Sequence, residues 1–385
     1  WDASGKLVVL AGQSAQGLLY AVETFCARGL CGEALPEKLQ PERLQAALDA
    51  LPEFDLAEAP RTPERGLWSW GYVVHEYRRF LDNMARLKMN ILTLWNDVPP
   101  HNFPEILAYA HDRGIKIHLG FPWGWGMAYN LADPADRRQI QQSVLQHYRQ
   151  HIAPLHPDGI YFQTLTEHNT LEMNGRSVAS FTCELVNQVA SELFHLTPEL
   201  DIRFGLHATS IRQHFTALTE LDRRVSITWE DAGALPFSYL PELVSQGQDA
   251  AQTLEYALQL AALRPGTPFA MIAKGWTTLD WPAEFEHHGP FLLGLRSRAF
   301  TRRRLEQIAP RWEKVNALWL KHYPAALEFY RRLLPACDGR LSVLGLVEDG
   351  LFEEKIQPSV ALLAESLWNP HTTADTILGR ALSPY

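Results

Sequence analysis

The sequence has no long apolar run and no concentrated basic segment. None of its windows approaches the ~18 consecutive apolar residues that a membrane-spanning helix requires. Its net charge is −9, and its basic residues are scattered apart from Arg302–Arg304. Binding of nucleic acid requires a concentrated basic face. We therefore expect no membrane span and no nucleic-acid partner, whereas the oligomeric state stays open.

Cysteine is scarce as well. The 385 residues include four cysteines, and these lack the paired spacing of a metal site. Cys26 and Cys31 could meet in a turn, but free thiols fit the spacing equally well. The chain begins at Trp1 inside a predicted strand, as if a leader had been removed or the start of a domain were missing. A periplasmic or secreted location and a cytoplasmic one therefore both stay open.

Apolar runs with the features of strands alternate with stretches of helical periodicity. The predicted strands cover residues 65–71, 90–96, 115–123, 159–167, 201–210, 225–233, 268–276 and 340–350. Apolar residues recur at three- and four-residue steps over 76–88, 102–113, 134–152, 177–195, 247–263, 303–334 and 356–367, which predicts helices. This alternation predicts a (β/α)8 barrel over residues 61–385. An open doubly wound sheet is the alternative, but no Gly-rich phosphate loop follows a strand.

Residues 1–60 precede the barrel, and their sequence pattern predicts a small, partial α/β domain. The apolar segment over 6–12 predicts a strand, and the segment over 14–29 predicts a helix with Ser14 as its N-cap. A Pro-rich, acidic linker over 51–65 then leads to the first barrel strand.

Tryptophan is abundant, and many of the 12 Trp residues stand beside Gly, Asn, Asp or Glu. Trp in such company is typical of a flat exposed surface in a cleft. A (β/α)8 barrel carries its active site at the carboxyl ends of its strands. The candidate residues at these ends are Trp70, Trp95, Asp97, Trp123, Trp125, Thr166, Glu167, His207, Trp229, Glu230, Asp231, Lys274, Trp276 and Glu348. They predict one mouth lined by aromatic faces and carboxylates.

This combination of residues is suited to carbohydrate chemistry. Sugar C–H faces pack on Trp, and polar side chains bind the hydroxyl groups. Hydrolysis of a glycosidic bond requires one carboxylic acid and a second carboxylate. Glu167, on the fourth strand, is the candidate general acid. Glu230 and Asp231, on the sixth, are the candidates for the second carboxylate, and as neighbours on a strand only one should face the barrel axis.

Glu348 on the eighth strand is a rival for the second carboxylate and otherwise binds substrate. The aromatic candidates, together with Asp97, Thr166, His207 and Lys274, are expected to bind a carbohydrate substrate. No cofactor and no metal are expected.

Several segments resemble the β-N-acetylhexosaminidases and related (β/α)8 glycosidases, including α-glucuronidases, that carry a small α/β domain ahead of the barrel. These segments are GLLYAVETF (17–25), RGLWSW (65–70), RRFLDNMARLKMNILTLW (78–95), EILAYAHDRGIKI (105–117) and LLAESLWNP (362–370). The resemblance implies a glycosidase for hexosaminides or uronides, with the general acid on Glu167. It departs at Thr166, where hexosaminidases have the Asp that orients the acetamido group. The α-glucuronidase pattern, with bases on later strands, fits Glu230 or Asp231 better.

Two other functions stay open. A non-catalytic carbohydrate-binding barrel would need Trp faces and hydroxyl partners but not two facing carboxyl groups. A metal-dependent hydrolase would use some of the 15 histidines. However, the first strand has no His-x-His pair, and His75, His118, His168 and His207 lack the spacing of metal ligands.

Overall fold

The barrel predicted from the sequence is present. The computed structural model describes residues 7–29, 41–96, 98–124, 127–163, 170–207, 211, 213–230, 250–274, 276, 291–347 and 351–382. Its eight barrel strands are β1 Glu64–Trp70, β2 Ile91–Trp95, β3 Lys116–Gly120, β4 Gly159–Gln163, β5 Asp201–Leu206, β6 Val225–Trp229, β7 Phe269–Ala273 and β8 Leu341–Leu346. Each pairs in parallel with the next, and Glu64 of β1 lies opposite Ser342 of β8, which closes the barrel.

Helices surround the strands close to the predicted ranges. They are α1 Ala15–Gly29, α2 Pro41–Asp49, α3 Tyr77–Arg86, α4 Phe103–His111, α5 Pro134–His147, α6 Val178–Leu196, α7 Ala250–Leu263, α8 Arg298–Leu333, α9 Leu351–Glu354, α10 Pro358–Trp368 and α11 Ala374–Ala381. Side-chain oxygens of Asp133, Ser177 and Ser297 accept backbone N–H bonds at the starts of α5, α6 and α8. Within the described ranges no helix is both long and apolar enough to cross a membrane.

Alternation along the strands divides the core into two parts. A lumen cluster consists of Trp68, Trp70, Val73, Ile91, Trp95, Tyr161, Ile272, Leu344 and Leu346. The larger cluster lies between the strands and the helices and includes Phe162 and Phe204. Because successive side chains of a strand point to opposite faces, neighbours such as Tyr161 and Phe162 belong to different clusters.

Charged side chains link strands at the amino-terminal end of the barrel. The Arg203 guanidinium lies 2.7 Å from Glu64 Oε2 and 2.8 Å from Asp201 Oδ2, and it donates to Ser342 Oγ at 3.0 Å. His118 Nε2 lies 3.4 Å from the same Asp201 oxygen. Burial alone would raise the pKa of Asp201, but Arg203 and His118 lower it to about 2. This floor network therefore joins β1, β3, β5 and β8 by polar contacts.

The first helix packs on the barrel next to β1. The Arg65 guanidinium lies 5.2 Å from the ring centroids of both Tyr20 and Trp368, and these two rings meet edge to face at 5.5 Å. Two helices and no strand occur in the described part of residues 1–60, so the strand predicted over 6–12 is not formed at residues 7–12. Leu7 and Val9 are 72% and 71% exposed. A strand needs a paired neighbour, and an apolar pattern by itself does not supply one.

Candidate active site

Among the described residues, Glu230 is a carboxylate that lies in the lumen at the carboxyl end of the barrel. It directly follows Trp229, whose ring packs outward against Tyr256 of α7 with 5.3 Å between centroids. Because side chains alternate, Glu230 points the other way, and it is only 3% exposed. Glu230 thus faces the barrel axis, whereas Asp231 lies outside the described residues.

Four polar side chains surround the Glu230 carboxylate. The Tyr161 hydroxyl and the Gln163 amide both donate to Oε1, the latter at 2.5 Å. His207 Nε2 lies 3.0 Å from Oε2, and the Lys274 ammonium lies 3.7 Å from the same oxygen. Both carboxylate oxygens are therefore held, and a carboxylate held this way has little freedom to rotate.

Adjacent strands supply these four groups. Tyr161 and Gln163 occupy alternate, lumen-facing positions of β4, whereas His207 and Lys274 directly follow β5 and β7. Since β4, β5, β6 and β7 are neighbours in the barrel, their carboxyl ends converge around Glu230. Barrel closure thus explains the cluster, which we call the Glu230 cluster.

The cluster keeps Glu230 ionised at neutral pH. Burial would raise the pKa of this carboxyl group, since a buried charge loses its hydration. The His207 ring, the Lys274 ammonium and the Tyr161 hydroxyl outweigh that effect and lower the pKa to about 2. The arrangement therefore presents a buried anion that can stabilise nearby positive charge or act as an ionised nucleophile.

Aromatic rings in the lumen lie beneath the Glu230 cluster. Trp68 and Trp95 meet the Tyr161 ring edge-on, with centroid distances of 5.9 and 6.0 Å. Trp70 meets Trp68 at 5.0 Å and Trp95 at 5.7 Å. Trp70 and Trp95, both candidates from the sequence, are thus 8% and 2% exposed within the lumen. Neither offers the open face that we expected.

The prediction of exposed platforms is also wrong for Trp123, Trp229 and Trp276. These side chains are at most 2% exposed, and they pack between the barrel and its helices. Trp123 stacks on Phe162 with 3.5 Å between centroids, and Trp276 stacks on Trp319 of α8 with 4.8 Å. Polar or small neighbours in the sequence therefore do not make a Trp exposed, since large rings at strand ends fill the outer layer.

The remaining sequence candidates fall outside the described residues. They are Asp97, Trp125, Thr166, Glu167, Asp231 and Glu348. Of the other candidates, the structure brings Glu230, His207 and Lys274 together. Sequence reasoning missed Tyr161 and Gln163 as site residues. The period-two alternation of β4 was the available signal, because it turns both toward the lumen.

Histidines do not assemble a metal site in the described part of the chain. No group of three or more His, Cys, Asp or Glu there could hold an ion. His207 instead contacts Glu230. His75 and His118 are buried, and burial together with nearby arginines lowers the pKa of each to about 4.

Comparisons with known proteins yield similarity at the level of structure. No family model and no curated protein matches the sequence. A GH138 enzyme targeting the pectin rhamnogalacturonan II is similar at a TM-score of 0.54 and 12% identity, over 95% of this chain and 44% of that chain. A β-N-acetylhexosaminidase from Bacteroides fragilis is similar at a TM-score of 0.50 and 13% identity, over 95% of this chain and 76% of that one.

The present chain thus spans less than half of the GH138 enzyme. At such identities the likeness concerns the fold, and (β/α)8 barrels support many unrelated reactions. The strand order, the closure of β8 on β1 and both comparisons agree on one architecture. This chain has a closed (β/α)8 barrel fold, which it shares with both of these proteins.

Proposed function

We propose that this protein is a glycosidase in which Glu230 is the second catalytic carboxylate. The observation that carries the proposal is a buried, ionised carboxylate at the carboxyl end of a (β/α)8 barrel strand. Glycosidic cleavage passes through a state with oxocarbenium character, which a fixed anion stabilises. The structural similarity to two glycoside hydrolases supports the same reaction class.

Glu230 suits an electrostatic or nucleophilic role better than that of a general base. A base is most effective when its pKa lies near the working pH. The pKa of Glu230 is lowered to about 2, so the group is a weak base but is fully ionised. We therefore propose that Glu230 faces the anomeric carbon and that it forms or stabilises the glycosyl intermediate.

Glu167 is the proposed general acid. It follows Gln163 by four residues, and Gln163 donates to Glu230 at the end of β4. The described end of β4 therefore lies beside the proposed second carboxylate, and Glu167 follows it in the sequence. Asp231 and Glu348 remain candidates for further carboxylate roles at the mouth, and Asp97, Trp125 and Thr166 for substrate contacts.

The proposed substrate is a hexosaminide or a uronide. Lys274 and His207 have side-chain exposures of 29% and 12%, and so they reach closer to solvent than Glu230 does. Both can donate to sugar hydroxyl or carboxylate oxygens while they contact Glu230.

The test compares Glu167→Gln, Glu230→Ala and the control Glu365→Gln on aryl hexosaminides and aryl uronides. Glu365 is also a buried carboxylate, 5% exposed, but it pairs with Arg380 on the outer helices. Glu167→Gln should lower turnover ~10²–10⁴-fold for poor leaving groups and much less for acidic phenols. Glu230→Ala should lower turnover of substrates with either kind of leaving group. Added azide should restore turnover and form a glycosyl azide.

Four results would contradict this assignment. Equal losses on both leaving-group types would remove Glu167 as the acid. Full activity of Glu230→Ala would remove the second carboxylate. Sugar binding without turnover of any substrate would leave a non-catalytic carbohydrate-binding barrel, and activity that tracks bound metal would indicate a metal-dependent hydrolase.

A further inference from the structure

We infer that Tyr161 is a positioning residue for Glu230, and that Gly205 leaves open the space in which their two side chains meet. The inference rests on the proposed function, in which Glu230 is the second catalytic carboxylate. It adds to the site two residues that carry no recognisable motif.

Tyr161 is fixed in place from below. Its ring lies in the lumen, 1% exposed, against Trp68 and Trp95. Its hydroxyl donates to Glu230 Oε1. Since the neighbouring rings hold the phenol, the hydroxyl stays aimed at the carboxylate. Pre-positioned donors of this kind orient a catalytic group without any rearrangement during the reaction.

Gly205 makes this contact possible. Strand β5 lies between β4 and β6, so the bond from Tyr161 to Glu230 passes across it. A Cβ atom at Gly205 would lie under 3.0 Å from both Tyr161 Oη and Glu230 Oε1. Any side chain there would push the phenol or the carboxylate away. Glycine thus serves here for close approach, as it often does inside a strand.

The two carboxylate oxygens consequently have different surroundings. Oε1 receives the donors of β4, deep in the lumen, whereas Oε2 lies beside His207 and Lys274, which are the more exposed members of the cluster. Tyr161 therefore turns Oε2 toward the mouth of the barrel. In the proposed reaction Oε2 is the oxygen that faces the anomeric carbon.

Tyr161→Phe tests this role because it removes the hydroxyl and keeps the ring. The primary readout is the ¹³C NMR titration of the Glu230 carboxyl carbon, assigned by its disappearance in Glu230→Gln. A hydrogen bond favours the charged form, so the titration midpoint should rise by about one to two pH units in the variant. The kcat should fall ~10–100-fold with KM little changed, and the acid limb of the kcat/KM profile should move up with the midpoint.

Gly205→Ala provides an independent test that keeps both functional groups. The added methyl group displaces the phenol, so the Glu230 midpoint should rise in this variant too. Gly379→Ala is the matched control, since a Cβ there would meet nothing within 4 Å. Thr228→Val controls for a change inside β6, because the Thr228 hydroxyl has no hydrogen-bond partner in the described structure. Neither control should move the midpoint.

An unchanged Glu230 midpoint in Tyr161→Phe or in Gly205→Ala would overturn the inference. So would a loss of activity in which the acid limb stays where it is in the unsubstituted protein, since a purely structural role predicts that result. The NMR readout needs no turnover. A protein that hydrolyses none of the substrates would therefore contradict the proposed function and still allow the role of Tyr161 to be decided.

Discussion

Arg203 is a buried cation on which several polar contacts depend. It is 4% exposed, and its guanidinium contacts Glu64, Asp201 and Ser342 in the floor network. Burial by itself would lower the pKa of Arg203, but the two carboxylates outweigh this and raise it. Each carboxylate likewise depends on the arginine, because an unpaired buried charge is costly.

Arg203→Met should therefore destabilise the fold strongly. The substitution keeps a long apolar side chain but leaves two partly buried carboxylates without their cation, and a loss of about 3–5 kcal/mol is expected. Urea denaturation at neutral pH measures it. The control is Arg224→Met, because Arg224 pairs with Asp222 but its side chain is 58% exposed. Equal losses in both variants would show that the floor network contributes nothing special.

The strand β4 illustrates how one element serves two layers. Tyr161 and Gln163 face the lumen and hold Glu230, while Phe162 between them stacks on Trp123 at 3.5 Å and on Phe204 at 5.1 Å. A shift of the β4 pairing register by one residue would turn Tyr161 and Gln163 outward and Phe162 into the lumen. The outer stack therefore secures the register that the site depends on.

Trp123→Ala separates packing from substrate binding. Trp123 is 0% exposed, so truncation should lower the free energy of unfolding by about 3–5 kcal/mol. Its effect on KM should be small at temperatures where the variant stays folded. Urea denaturation and steady-state kinetics together measure this, with Phe300→Ala as the control because Phe300 is 45% exposed. A raised KM without loss of stability would restore Trp123 as a sugar platform.

The whole molecule should lose stability as the pH falls, in two ranges. His75 and His118 have a pKa lowered to about 4, so between about 6.5 and 4 the unfolded chain binds protons that the folded chain does not. Asp201 and Glu230 have a pKa lowered to about 2, so their contribution is complete above about pH 4 and is lost toward pH 2. The histidines and the carboxylates therefore both lower the stability of the folded chain as the pH falls.

His75→Leu tests the upper range. The ring is buried, and burial together with Arg296 and Arg304 disfavours its protonation. The protein loses stability between pH 6.5 and 4.5, and in His75→Leu this loss should be smaller by up to about 3 kcal/mol. Urea denaturation across that range measures it. His371→Leu, at an exposed position, is the control for replacing a histidine by leucine. If the free energy of unfolding of His75→Leu changed with pH as it does in the unsubstituted protein, another group would control this pH range.

The sequence by itself determined the architecture. Eight apolar strands and the helical periods between them appear within a few residues of their predicted ranges, because burial of one face imposes a local period of two or about four. The same alternation places Glu230 on the lumen side of β6, opposite to its neighbour Trp229. These features depend on near neighbours along the chain, which a sequence displays directly.

Only the tertiary structure decided which side chains meet. Tyr161 and Glu230 are 69 positions apart and come together because the barrel closes and Gly205 leaves room. Trp123, Trp229 and Trp276 were expected to be exposed, yet they are buried against Phe162, Tyr256 and Trp319 respectively. Burial and pKa depend on these long-range contacts. Sequence patterns therefore predicted the strands, and the closed barrel determined the contacts among the side chains at their ends.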